Sequence, residues 1–257
     1  MLLAAVSTRP RKEYGQHFLR DPNILEVIGR LADLGPDDVV LEIGPGQGVL
    51  TRYLADRVHR VHAVEIDRAL EPALGGLAEN VDVVFGDALE IELPRDATKL
   101  VANLPYNVAT PLVVESLDGL PNVRLWCVMV QRDVADRFFA QPRTKDYGAV
   151  SVLIQLAAER TGFHPVSRTV FRPQPNVDSA LVAFRRTELP AEYGRVKEVV
   201  TAAFAHRRKT LPNSLALTGL ASREKAAVAL AAIGHRAETR AEELAPAEFL
   251  ALEDALG

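Results

Sequence analysis

Val39-Val40-Leu41-Glu42-Ile43-Gly44-Pro45-Gly46-Gln47-Gly48 is an apolar, β-branched run that breaks into a glycine-rich turn, and residues 49–56 after it have helical spacing. A strand that feeds a helix through a turn lacking side chains lets a ligand approach the backbone, with the first helical N–H groups pointing at it. The glycines follow G-x-G-x-G. A dinucleotide fingerprint needs G-x-G-x-x-G, whose last position here is Val49. By itself the turn is a weak signal, equally readable as a plain strand-to-helix connection.

Working outward, β-branched runs recur at 61–66, 81–85, 100–102 and 125–130, with amphipathic or Ala/Leu-rich stretches between most of them. Strands alternating with helices predict an α/β fold, a mainly parallel sheet with helices on both faces. Residues 150–156 and 180–184 read as two further strands at one edge, close enough in sequence for one to be antiparallel. Beyond Thr187 the chain becomes Ala/Leu/Glu-rich with helical spacing, broken at 211–213, Gly219, Gly234 and Pro246. The expected organisation is an N-terminal basic arm over 1–20, an α/β domain over 21–186 and a small all-helical domain over 187–257.

Hydrophobic residues are 48% and charged residues 25% of the 257, the balance of a soluble globular protein. No apolar run approaches the roughly 20 residues of a membrane span. The opening MLLAAV has no basic segment before it and does not read as a signal peptide, so a cytoplasmic protein is expected. The single cysteine, Cys127 in LWCVMV, excludes an internal disulfide and reads as a small buried side chain. Six scattered histidines suggest no metal site. A net charge of −4 does not advertise nucleic-acid binding, so any such contact must come from local patches. Two are present, Arg9, Arg11 and Lys12 near the start, and Arg207, Arg208 and Lys209 in the helical region. Either could equally be a solvated face.

Candidate ligand contacts sit where strands end. Glu65 closes the second strand, 21 positions after Gly44, where a carboxylate can accept both ribose hydroxyls of a nucleoside. Asp67 reads as the start of the following helix. Asp87 closes the third strand and can accept from an adenine amino group. Acids at the carboxyl ends of successive strands converge on the crevice where open α/β sheets bind nucleosides.

The fourth strand ends in Val101-Ala102-Asn103-Leu104-Pro105-Tyr106-Asn107. An adenine amino group is a poor nucleophile because its lone pair is delocalised into the ring. Two acceptors aimed at its hydrogens, the Asn103 side-chain oxygen and the Leu104 carbonyl, would localise that pair and stabilise the positive charge growing on nitrogen. Pro105 biases Leu104 towards an extended backbone and removes a competing donor. Tyr106 offers a flat face on which a base can stack. Such a site suits direct methyl transfer from a sulfonium centre, governed by alignment more than by acid–base work.

These segments, together with Gln16-His17-Phe18-Leu19, Tyr147-Gly148, Phe171-x-Pro-x-Pro-x-Val-Asp-Ser179 and Arg207-Arg208-Lys209-Thr210-Leu211, resemble the KsgA (RsmA, Dim1-like) family of ribosomal RNA adenine dimethyltransferases. The resemblance spans nearly the whole chain. It implies a Rossmann-like class I methyltransferase fold, S-adenosylmethionine as methyl donor, and dimethylation of two adjacent adenosines in a 3′-end hairpin loop of small-subunit ribosomal RNA during subunit maturation. It further implies cofactor contacts from His17, Leu19, Gly44, Gly46, Glu65, Asp87 and Asn103, and a base pocket from Asn103, Leu104, Tyr106 and Phe171. The partner would be the immature small subunit and its RNA, met by a monomer. His17 stands where many members carry Asn, Asp133 replaces a commoner Glu, and Gln174 a commoner Pro. From the residues alone, Phe171 reads equally as a hydrophobic plug and Tyr147 as packing.

Three other readings compete. A large-subunit methyltransferase of the macrolide-resistance type shares the cofactor and target motifs, but the late segments at 171–179 and 207–211 favour the small-subunit family. A ribosome-assembly factor whose RNA binding outweighs its methylation is opposed by the intact Glu65, Asp87 and Asn103. A nicotinamide-dependent oxidoreductase is disfavoured by the glycine spacing.

Overall fold

The computed structural model describes residues 14–257. Arg9, Arg11 and Lys12 lie outside the described residues, so the arm read from the sequence has no structural account. Contacts divide the chain into two compact units, Met1–Ala135 with Arg160–Arg186, and Asp136–Glu159 with Thr187–Gly257.

The first unit is built on a seven-stranded sheet. Its strands are β2 (Val39–Ile43), β3 (Arg60–Glu65), β4 (Val81–Phe85), β5 (Lys99–Asn103), β6 (Leu125–Gln131), β7 (Ala158–Val166) and β9 (Ser179–Arg186), in the order β4-β3-β2-β5-β6-β9-β7. β2, β3, β4, β5 and β6 pair in parallel, while β9 runs antiparallel to β6 with Leu125 opposite Arg185 and Gln131 opposite Ser179. The chain steps outward from β2 to β4, then returns to the other side of β2 for β5 and β6. That reversal opens a crevice at the carboxyl ends of β2 and β5, where such sheets take their ligands.

Helices α1 (Pro22–Leu31) and α2 (Val49–Ala55) cover one face, bringing Ile24, Ile28, Leu50 and Leu54 into a core with Val40, Val61, Val101, Cys127 and Leu181. Asp21 caps α1 by accepting from the Asn23 N–H at 2.9 Å. Within the same unit, α3 (Glu71–Leu74) follows a short turn at Arg68–Leu70, and α4 (Ala109–Gly119) links β5 to β6. Trp126 stacks on Phe184 at 5.2 Å and donates its indole N–H to Ser116 Oγ at 2.8 Å. A separate two-stranded ribbon pairs β1 (Phe18–Leu19) with β8 (Phe171–Arg172), antiparallel, Phe18 opposite Arg172 and Leu19 opposite Phe171.

After α5 (Arg132–Phe138) comes α6 (Ala149–Ala157), in the segment where the sequence reading expects a strand. An apolar run buried on nearly all sides carries no periodicity to separate helix from strand. Ser151 decides it locally, its hydroxyl accepting from the Gly148 N–H at 3.1 Å and donating to the Arg137 carbonyl at 2.6 Å. The edge strand is the following segment, β7.

The second unit holds α6 with α7 (Tyr193–Phe204), α8 (Leu211–Leu217), α9 (Arg223–Ala232) and α10 (Pro246–Leu256). A linear boundary at 186 cannot express the excursion of Asp136–Glu159, in which α6 packs on α7 and α10. The expected break at 211–213 is instead the first turn of α8, where a proline is tolerated because its missing N–H has no helical partner to lose. Gly219 and Gly234, with φ of 77° and 84°, follow α8 and α9. No helix among the described residues is long and apolar enough to cross a membrane.

Candidate cofactor and base site

A cavity of about 310 Å³ opens at the crevice of the first unit, walled by residues 14–19, the glycine turn, the ends of β3 and β4, and the turn after β5. The glycine turn is shaped by left-handed backbone. Gly44 and Gly46 have φ of 73° and 59°, where side chains are strained. A Cβ on Gly46 would stand 3.0 Å from the Phe18 ring, and one on Gly44 would stand 3.3 Å from Pro105. Both neighbours use the space that a side chain would fill.

Glu65 is 4% exposed and braces this turn from below. Its Oε2 accepts the Gly46 N–H at 3.0 Å and its Oε1 accepts the Asp67 N–H at 2.9 Å. Burial raises its pKa, opposed by those backbone N–H groups and reinforced by the charge of Asp67. A carboxylate has about four acceptor positions, so capacity remains for a ligand hydroxyl. Asp87 spends Oδ1 on the Leu89 N–H at 2.9 Å, which leaves its second oxygen to an amino donor. The two acids, the glycine backbone and the cavity fit the ribose, the adenine amino group and the amino-acid tail of S-adenosylmethionine. Asp67 caps the turn after β3 through Ala69 N–H at 3.1 Å and receives Gln16 Nε2 at 2.9 Å.

The acceptor side is held by residues far away in sequence. Asn103 Nδ2 donates to the His17 carbonyl at 3.1 Å, which leaves the side-chain oxygen as the end offered to a ligand. The His17 ring donates from Nδ1 to the Pro173 carbonyl at 2.8 Å and tilts against Tyr106, centroids 5.4 Å apart. The Leu104 N–H is used by the Met129 carbonyl at 3.0 Å. Tyr106 hydrogen-bonds Ser179 Oγ at 2.6 Å. Its pKa is raised, by burial first, with Ser179 lowering and Asp178 raising it, so the phenol stays protonated.

Of the residues singled out in the sequence, His17, Leu19, Gly44, Gly46, Glu65, Asp87, Asn103, Leu104 and Tyr106 all line this one cavity. Phe171 does not. It is 4% exposed and packs in the core with Leu19, Ile24 and Val166, because pairing with Leu19 turns both side chains to the apolar side of the ribbon. That placement is the one the hydrophobic-plug reading expects. Tyr147 is packing as well, fully buried with its hydroxyl on the Leu244 carbonyl at 2.8 Å. Gln16, Ser179 and the Pro173 carbonyl were passed over by the residue-level reading. Each lies inside a motif already conspicuous in the sequence, and only the fold reveals its partner.

One residue beneath the turn has a different chemistry. Glu42 is 1% exposed, and burial pushes its carboxyl up to about 8, the Thr51 hydroxyl lowering it and Glu65 raising it. Glu42 Oε2 and Thr51 Oγ1 are both buried without a well-formed hydrogen bond. Cys127 is pushed up to about 12 by burial, an unreactive thiol.

In the second unit Arg207, Arg208 and Lys209 are exposed. Arg207 is tied down, donating from Nη2 to the Tyr147 carbonyl at 2.8 Å and lying 3.8 Å from Glu242. No group of His, Cys, Asp and Glu among the described residues is arranged to hold a metal.

The family described as Ribosomal RNA adenine dimethylase matches residues 7–256. The chain is 47% identical over 257 residues to Ribosomal RNA small subunit methyltransferase A of Rubrobacter xylanophilus, covering 97% of this chain and 96% of that one. It is 45% identical to the protein of the same name from Thermobifida fusca, covering 96% and 91%. Among solved structures, a dimethyladenosine transferase from Plasmodium falciparum superposes with a TM-score of 0.77 at 25% identity, over 92% of this chain and 96% of that one. The 23S rRNA methyltransferase ErmE superposes with a TM-score of 0.65 at 31% identity, over 93% and 99%.

Proposed function

The chain belongs to the ribosomal RNA adenine dimethylase family, and from that premise we propose how its own residues serve the reaction. It is an S-adenosylmethionine-dependent enzyme that dimethylates adenosine in small-subunit ribosomal RNA. The finer reading is that two adjacent adenosines in a 3′-end hairpin loop are modified at N6 during subunit maturation, in the cytoplasm.

Bound in the cavity, the cofactor supplies an electrophilic methyl group on a sulfonium. Glu65 and Asp87 would hold its ribose and its adenine at the ends of β3 and β4, beside the turn after β5. Asn103 and the Leu104 carbonyl take the two hydrogens of the target amine, localising its lone pair along the line of attack. Tyr106 stacks the extruded base, an interaction worth about 1 to 3 kcal/mol per base. The cationic product amine loses its proton without a strong base. Arg208 and Lys209 give the RNA phosphates their anchor.

The observation that carries this reading is the Asn103 amide. Its Nδ2 donates to the His17 carbonyl, which fixes the orientation of the amide and so the end at which it offers its acceptor oxygen. The macrolide-resistance reading is weaker, because the curated small-subunit enzymes are 40% to 47% identical while ErmE is 31%.

Incubation with labelled cofactor and unmodified small or large subunits in parallel, followed by mass-spectrometric mapping of modified nucleosides, tests the assignment. Dimethyladenosine at adjacent positions of the small-subunit RNA is expected. Label confined to large-subunit RNA, or none in either, would remove it.

A further inference from the structure

Tyr106 lies on the turn after β5 and Ser179 opens β9, 73 residues later. They meet because β9 is antiparallel. Parallel strands bring their last residues to the ligand edge of the sheet, whereas an antiparallel neighbour brings its first. Ser179 therefore stands opposite Gln131 at the end of β6, whose other neighbour is β5. It is fully buried, and the residue before it is pinned twice. The Asp178 carbonyl accepts the Arg132 N–H at 3.0 Å and its carboxylate accepts the Arg168 N–H at 2.9 Å. The 2.6 Å bond thus joins the tip of the Tyr106 ring to a fixed post.

We propose that Ser179 is a positioning residue for methyl transfer, its hydroxyl fixing the plane of the Tyr106 ring against which the target adenine stacks. The inference rests on the reading of Tyr106 given above. A ring attached only at Cβ swings between rotamers, while one tied at both ends does not. A swung ring still offers an apolar surface to a base, so RNA affinity changes little. The reacting nitrogen, however, leaves the line of attack, and that loss falls on rate.

The test uses the full chain as Ser179→Ala, Tyr106→Phe and the double variant, in single-turnover assays with S-adenosylmethionine and unmodified small subunits. Each single variant is expected to slow transfer about 2-fold to 10-fold, the worth of one neutral hydrogen bond. The double variant should be no slower than the slower single one, since both remove the same bond. Cofactor affinity should stay unchanged. An RNA fragment carrying 2-aminopurine at the target position reports the ring directly, and its stacking quench should change alike in both single variants. A wild-type rate and quench in Ser179→Ala overturn the proposal, as does a double variant that multiplies the two losses. Should Ser179→Ala not fold, Tyr106→Phe decides alone, and an unaltered rate and quench overturn the proposal. Wild-type protein that leaves small subunits unmethylated removes the functional reading and this inference together; active wild type with unaltered variants removes only the inference.

Discussion

At the scale of single residues, the site contains two side chains whose removal should give opposite kinds of result. Asn103 presents its oxygen because its nitrogen is held by the His17 carbonyl at 3.1 Å. Asn103→Ala deletes the acceptor where charge develops and should slow single-turnover transfer on the order of 100-fold to 1000-fold. Saturating cofactor and RNA isolate that step; turnover within a few-fold of wild type would end the claim that Asn103 activates the amine. Glu42 lies outside the cavity lining, and its effect falls on the pH dependence of stability. Its carboxyl moves on folding from an ordinary value near 4.5 to about 8. Between those values the folded chain keeps a proton that the unfolded chain has released, so stability falls as pH rises through the window. Below it both states are protonated and the effect vanishes. Glu42→Gln should flatten the pH dependence of the urea midpoint across that range, and an unchanged slope would assign the dependence to other groups.

At the scale of elements, legibility followed the strength of local pattern. The strands at 39–43 and 81–85 were readable because β-branched runs ended in glycine or an acid, and their acids fell on one edge as a parallel sheet requires. α6 was not, since nine residues buried almost throughout show neither period. β1 and β8 are two residues each, too short for any period, and what defines them is a partner about 150 positions distant. Ser179 is illegible for a related reason: the sequence signal is an acid where a strand ends, and an antiparallel strand contributes its beginning. The burial of Phe171 is not legible in the sequence because the ribbon that orients it is not. Phe171→Leu should therefore act on the fold, lowering stability by about 1 to 3 kcal/mol while the folded protein keeps cofactor affinity and turnover within a few-fold. Loss of turnover at unchanged thermal midpoint would return Phe171 to the base pocket.

At the scale of the whole molecule, a chain of net charge −4 has to bind a polyanion through local surfaces. Arg207 is occupied by the Tyr147 carbonyl and Glu242, so the free part of its cluster is Arg208 and Lys209. Changing both to Ala should lower the salt dependence of RNA binding by about 0.7 to 0.9 per lost phosphate contact, with free-cofactor affinity unaffected. An unaltered slope would make the pair an ordinary solvated face. The β1–β8 ribbon bears on the order in which the molecule is made. His17 reaches Pro173 across 156 positions, so the wall that orients Asn103 is closed by one of the most non-local contacts in its unit. Such contacts bear the loop-closure entropy before they repay it, and form late. During synthesis the glycine turn, Glu65 and Asn103 all emerge well before β8 does. A chain stalled short of residue 171 carries every acceptor of the site but lacks the Pro173 carbonyl that anchors the His17 ring, so the closed wall is a property that translation confers only after about two-thirds of the chain has been made.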